Sequence, residues 1–103
     1  MVPRIKIAFD VDQTLITQGE NGRNVPNYEV IATYKWFEKR GCVMIIWSGS
    51  GMDYAKTWAE NLGLKPNVVM AKPIGQNNIA DIAFDDQDVD LATVNININE
   101  NSQ

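Results

Sequence analysis

The sequence predicts an α/β domain in which a mainly parallel sheet lies between two layers of helix. Three observations predict it. Short apolar runs alternate along the chain with segments of helical period. Four of those runs stop abruptly at a polar or charged residue. A length of 103 residues, 45% hydrophobic and 21% charged, supplies one core and no second one.

Taken in order, Ile5-Lys6-Ile7-Ala8-Phe9 alternates and then turns wholly apolar, which suits a strand covered on both faces, and it stops at Asp10. Residues 13–27 hold Gly19, Gly22, Pro26 and several Asn. They read as a loop with no room for an extra domain, so any lid there is small. Asn27 is placed to cap a helix running to Arg40, because Val30, Ile31, Tyr34 and Phe37 recur at helical spacing and Lys39-Arg40-Gly41 is a stop signal. The second strand, Cys42 to Trp47, follows at once and closes in Ser48-Gly49-Ser50-Gly51. Tyr54, Ala55, Trp58, Ala59 and Leu62 then form a second helical stripe that ends at Gly63.

Val68-Val69-Met70-Ala71 is a third strand, followed by Lys72-Pro73, and Ile82-Ala83-Phe84 a fourth, followed by Asp85-Asp86. The chain between Lys72 and Ile82 is too short for a full helix, yet fully extended it spans roughly 30 Å and can cross several strands. Val94, Ile96 and Ile98 alternate with Asn95, Asn97 and Asn99, the pattern of a half-buried strand at a sheet edge. Gln87 to Ala92 falls short of the dozen residues of a parallel crossover, so this last strand is expected to run non-parallel. Residues 1–99 are thus read as one domain and 100–103 as a frayed tail.

Composition removes several functions. With no histidine, the Ser-His-Asp triad, the Cys-His dyad and every histidine-ligated metal site are excluded. The lone Cys42 offers neither an internal disulfide nor a thiolate zinc site and sits in an apolar run, where it reads as core. A net charge of -4 does not point to binding of nucleic-acid backbone. No segment approaches the apolar length of a membrane span or a signal peptide, which makes the cytoplasm the expected compartment and a membrane partner unexpected. Among the aromatics, Trp36, Phe37 and Trp58 lie on apolar patterns and read as core, while Trp47, next to Ser48, is placed to wall a substrate site.

In open sheets of this Rossmann-like kind, ligands bind outside the carboxyl ends of the strands, where Asp10, Ser48, Lys72 and Asp85 would all sit. Asp10 and Asp12 with Asp85 and Asp86 would bring four carboxylates into a small volume, with Lys72 as the one counter-charge at a strand end. Unbalanced anions in a partly buried site cost several kcal/mol each, so a bound divalent cation is expected. A donor set of oxygens alone selects a hard ion, and Mg²⁺ with carboxylates, waters and a substrate phosphate is the usual case. The Ser48-Gly49-Ser50-Gly51 turn adds a hydroxyl and open backbone N–H groups at a helix start, a favourable seat for phosphate.

These residues resemble, in type and order, the haloacid dehalogenase (HAD) superfamily of aspartate-nucleophile phosphohydrolases. That family carries a strand ending in DxDx[TV], a strand ending in Ser or Thr, a Lys, and a strand ending in an acidic motif. Here these look like Asp10-Val11-Asp12-Gln13-Thr14, Ser48, Lys72, and Asp85-Asp86 with Asp90 following. The resemblance covers roughly residues 5–90, and its most specific part is the first motif.

The resemblance implies that Asp10 is the nucleophile forming an aspartyl-phosphate and that Asp12 is the general acid and then base. It assigns Asp10, Asp85 and Asp86 to Mg²⁺ together with the Asp12 carbonyl, and Ser48, Gly49 and Lys72 to the phosphoryl oxygens, with Thr14 and Asp90 in support. Two registers of the acidic motif stay open, one sharing the metal between Asp85 and Asp86 and one using Asp86 with Asp90. An acid at position 12 favours phosphatase over dehalogenase. Gaps too short for a cap domain imply a capless site, open or covered by another subunit, acting on a phosphorylated small molecule or on an exposed phosphate of a larger substrate, a polynucleotide end included.

Two other readings compete. One is a receiver-like phosphoacceptor domain of two-component type, whose ingredients overlap but whose order differs, since there the acidic pair comes first and Lys-Pro last. The other is a catalytically degenerate binding module of the same fold.

Overall fold

The computed structural model describes residues 4–76 and 78–98, so the tail expected at 100–103 lies outside the described residues. The elements in chain order are β1 (Lys6–Asp10), β2 (Ile16–Gln18), β3 (Asn24–Pro26), α1 (Tyr28–Lys39), β4 (Val43–Ser48), α2 (Met52–Asn61), β5 (Val68–Ala71), β6 (Ala80–Asp85) and β7 (Ala92–Asn97). A five-stranded sheet runs in the order β5-β4-β1-β6-β7, and its pairings are all parallel.

β1 takes the centre because Ile7, Ala8 and Phe9 are apolar on both faces and fully buried. Partners in a parallel ladder share a face, so Ile7 and Phe9 line up with Met44 and Ile46 of β4 and with Ile82 and Phe84 of β6. Both helices cover that face, through Val30, Ile31 and Tyr34 of α1 and Ala55 and Ala59 of α2. Phe9 is the centre of this layer, stacked on Phe84 at 4.5 Å and tilted against Tyr34 at 5.3 Å. Cys42 is half-buried at its margin rather than in its interior.

The opposite face gathers Ala8, Ile45, Trp47, Ala80, Ala83, Leu91 and Ala92, closed over by Met70, Ile79 and Val89. This asymmetry follows from topology. The chain steps from β1 to β4 to β5 in one direction and from β5 to β6 to β7 in the other. With one crossover hand, the two directions use opposite faces. The described residues of the returns on the second face, 72–76, 78–79 and 86–91, are not helical, so the three-layer arrangement expected from sequence is not shown. The longer return crosses two strands over a diagonal of about 25 Å, within the roughly 30 Å that its chain can span.

Further expectations are corrected. β7 runs parallel to β6, with Ala80 opposite Ala92 and Asp85 opposite Asn97, although only residues 86–91 separate the strands. A crossover can be this short when it is extended and carries no helix: its chain spans about 23 Å and must regain only about 17 Å. Residues 13–27 are not wholly loop, because β2 and β3 pair as an antiparallel hairpin reversed at Gly22, whose φ of 77° suits glycine. The Leu15 carbonyl accepts the Asn27 N–H at 2.8 Å, closing this excursion at its base. Trp47 is fully buried in the second cluster and cannot wall a substrate site.

Trp36, read as core, is instead 52% exposed, its ring covered by the Arg40 guanidinium 3.6 Å from the centroid. The C-terminal strand does sit at the edge, but it is not half-buried as its alternation implies: Val94 and Ile96 are exposed along with Asn95 and Asn97. Among the described residues no helix is long and apolar enough to cross a membrane.

Candidate functional site

β1, β4 and β6 are neighbours in the sheet and end at the same level, so the parallel register brings Asp10, Ser48 and Asp85 to one edge. Phe9 pairs with Phe84, which places Asp10 beside Asp85 with both carboxylates on the face away from the helices. Carboxylate oxygens of Asp10, Asp85 and Asp86 come within 4.8 Å of one another, an arrangement that could hold a metal ion.

Lys72 reaches this group from across the sheet. Its N–H donates to the Ser48 carbonyl at 2.8 Å, which fixes the residue just beyond β5. Its Nζ then lies 2.5 Å from Asp85 Oδ2 and 4.0 Å from Asp10 Oδ1. Asp85 Oδ2 is buried with no hydrogen bond of good geometry, so the lysine contact is an ion pair by proximity. Asp85 Oδ1 accepts the Gln87 N–H at 3.0 Å.

The electrostatics are those of an under-compensated anion cluster. Burial, helped by the charge of Asp85, pushes the Asp10 carboxyl from 3.8 up to about 7, against the opposing pull of Lys72. Burial and a hydrogen bond with Asp85 raise Asp86 as well. With all three carboxylates ionised, one ammonium leaves two negative charges unbalanced. A divalent cation would balance them, and an all-carboxylate donor set suits a hard one.

The turn after β1 sets the relation of Asp10 to Asp12. Val11 is buried, and its carbonyl accepts N–H groups from Thr14, Leu15 and Ile16 at 3.3, 3.0 and 3.1 Å. Gln13 takes φ 60°, a left-handed conformation that non-glycine residues adopt at a cost. Asp12 is left exposed, its carboxylate outside the metal-competent trio. There Asp12 Oδ1 accepts a hydrogen bond from the Tyr54 hydroxyl at 2.7 Å. The sequence gives Tyr54 only a place on the apolar stripe of α2; the one available hint was its polar tip in the first turn of the helix after Ser48.

Ser48 is buried, and its Oγ accepts the Ser50 N–H at 2.9 Å, which leaves the hydroxyl proton to donate elsewhere. Gly49 is exposed and Gly51 adopts φ 106° as α2 begins, so the small-residue turn has a conformational reason at Gly51 and open space at Gly49. Thr14 is fully buried with Oγ1 unpartnered. Asp90 is exposed in the return to β7 and outside the trio, so the cluster pairs Asp85 with Asp86 rather than Asp86 with Asp90.

The edge therefore assembles a buried carboxylate of raised pKa, two further acids, an ammonium and a serine hydroxyl. Comparison of the chain with models of protein families, with curated proteins and with solved structures finds no match.

Proposed function

We propose that this chain is a capless, Mg²⁺-dependent phosphomonoester hydrolase of haloacid dehalogenase type, built on a Rossmann-like α/β domain. The observation that carries this reading is the convergence of Asp10, Asp85 and Asp86 within 4.8 Å, with Lys72 as their counter-charge, at the carboxyl edge of a parallel sheet. Asp10, Asp85 and Asp86, with the Asp12 carbonyl, would hold Mg²⁺, which supplies neutralisation of the phosphoryl oxygens and of the cluster itself.

The chain's own groups then divide the work. Asp10 is the nucleophile: its carboxylate oxygen attacks phosphorus, and the bond from phosphorus to the substrate's leaving oxygen breaks. Lys72 keeps Asp10 close to an ionisable state and, with the Ser48 hydroxyl, binds oxygens of the transferring group. Asp12 gives a proton to the leaving oxygen and later takes one from the water that attacks the aspartyl-phosphate, releasing inorganic phosphate and restoring Asp10. Splitting one displacement into two is ordinary covalent catalysis.

Steady-state phosphate release from p-nitrophenyl phosphate, with Mg²⁺ or with EDTA, tests the reading. Many turnovers per chain are expected with Mg²⁺ and none with EDTA, and Asp12→Asn is expected to lower the rate by about a hundredfold or more on an alkyl phosphate. At most one phosphate released per chain would favour the receiver-like phosphoacceptor. No release from any phosphomonoester would favour the binding module.

A further inference from the structure

We propose that Tyr54 is a positioning residue for Asp12, a role that rests on the phosphatase reading above. Asp12 stands exposed on the turn after β1, and among the described residues the Tyr54 hydroxyl is the side-chain group hydrogen-bonded to its carboxylate, at 2.7 Å. Tyr54 itself is anchored. It lies in the first turn of α2, half-buried, with its ring packed against the helix-side core. A rigid aromatic fixed at its base thus holds a carboxylate that water would otherwise leave free among its rotamers.

The hydrogen bond also divides the two oxygens of Asp12. Oδ1 accepts from Tyr54, and Oδ2 would then be the oxygen that exchanges a proton with the substrate. That division survives both halves of the reaction. When Asp12 is protonated, the proton sits on Oδ2 and Oδ1 remains a carbonyl acceptor; when it is ionised, Oδ1 accepts still more strongly. The phenol is the donor of this hydrogen bond and keeps its own proton throughout. In the first step, phosphorus forms a bond to Asp10 and loses its bond to the leaving oxygen, which takes the Oδ2 proton and departs as the alcohol. In the second, water gives a proton to Oδ2 as its oxygen bonds to phosphorus and the bond to Asp10 breaks. Tyr54 neither donates nor receives a proton in either step.

Acid assistance matters most for a poor leaving group, and this separates positioning from a general structural role. Tyr54→Phe keeps the ring and removes only the hydroxyl. In Mg²⁺, its kcat/KM is expected to fall about tenfold on an alkyl phosphate and less than about threefold on p-nitrophenyl phosphate, with KM little changed. Added to Asp12→Asn, the same substitution is expected to cost nothing more. Equal losses on both substrates, no loss on the alkyl phosphate, or a full further loss in the double variant would overturn the role of Tyr54 while leaving the phosphatase reading intact. A native chain that releases no phosphate from either substrate would overturn both. A cooperative thermal unfolding transition in Tyr54→Phe confirms that the comparison is between folded proteins.

Discussion

Asp10→Asn is expected to abolish phosphate turnover and, at the same time, to make the metal-free chain more stable at pH 8. The two effects have one cause. In the folded state burial and the charge of Asp85 hold the Asp10 carboxyl near pH 7, above its ordinary 3.8. Between those values the folded chain binds more protons than the unfolded one, so the stability that Asp10 contributes is full below about pH 4 and is lost as pH rises through about 7. Asparagine carries no charge to desolvate. At pH 8 in EDTA the variant should exceed the native chain by on the order of 2 kcal/mol, while below pH 4 the difference should vanish.

Urea unfolding at the two pH values reads this difference directly. Added Mg²⁺ should reverse the order at pH 8, because a cation stabilises the ionised carboxylates of the native chain more than it can the variant. Turnover should drop by about a thousandfold or more, since the proposed nucleophile is gone. A variant less stable than the native chain at pH 8 without metal would show that burial does not penalise the ionised form of Asp10.

Lys72→Met is expected to act in the opposite direction on stability. Asp85 is 1% exposed and its ammonium partner lies 2.5 Å away, so removing the lysine leaves buried negative charge with no compensation. Breaking a buried pair in this way costs about 3–5 kcal/mol, a large part of the total stability of a small domain. The loss should be greatest at pH 8 and should shrink at low pH as Asp10 and Asp86 take up protons. Mg²⁺ should restore part of it by supplying the missing positive charge. Urea midpoints in EDTA and in Mg²⁺ check both statements, and a variant within about 0.5 kcal/mol of the native chain in EDTA would mean that Lys72 does not carry the electrostatic load of the cluster.

Much of this arrangement is legible in the sequence because strand ends and charge coincide. Ile7-Ala8-Phe9 before Asp10, Ile82-Ala83-Phe84 before Asp85, and Val68 to Ala71 before Lys72 each declare both a strand and the polar group at its carboxyl end. A parallel sheet then brings those ends to one edge without further information.

Other features are illegible for physical reasons. The β2–β3 hairpin is too short and too polar to show a period, and it depends on a reversal at Gly22. The direction of β7 turns on whether six residues can return in extended form, a matter of distance rather than pattern. Trp47 and Ser48 are adjacent in sequence but belong to opposite faces of a strand, so nearness along the chain misplaces the indole. The choice of Asp86 with Asp85 rather than Asp90 is made by the extended return, which carries Asp90 away from the edge. The contact between Tyr54 and Asp12 joins residues 42 apart and leaves no local trace.

The central proposal is that Asp10 carries the phosphoryl group between substrate and water. It is tested most directly by mixing the chain with a ³²P-labelled phosphomonoester and Mg²⁺, quenching in acid within the first turnovers, and locating the label. Label on Asp10 that is stable to acid and removed by hydroxylamine, together with continued phosphate release and no label in Asp10→Asn, is the expected result. Phosphate release that continues at the native rate in Asp10→Asn would contradict it.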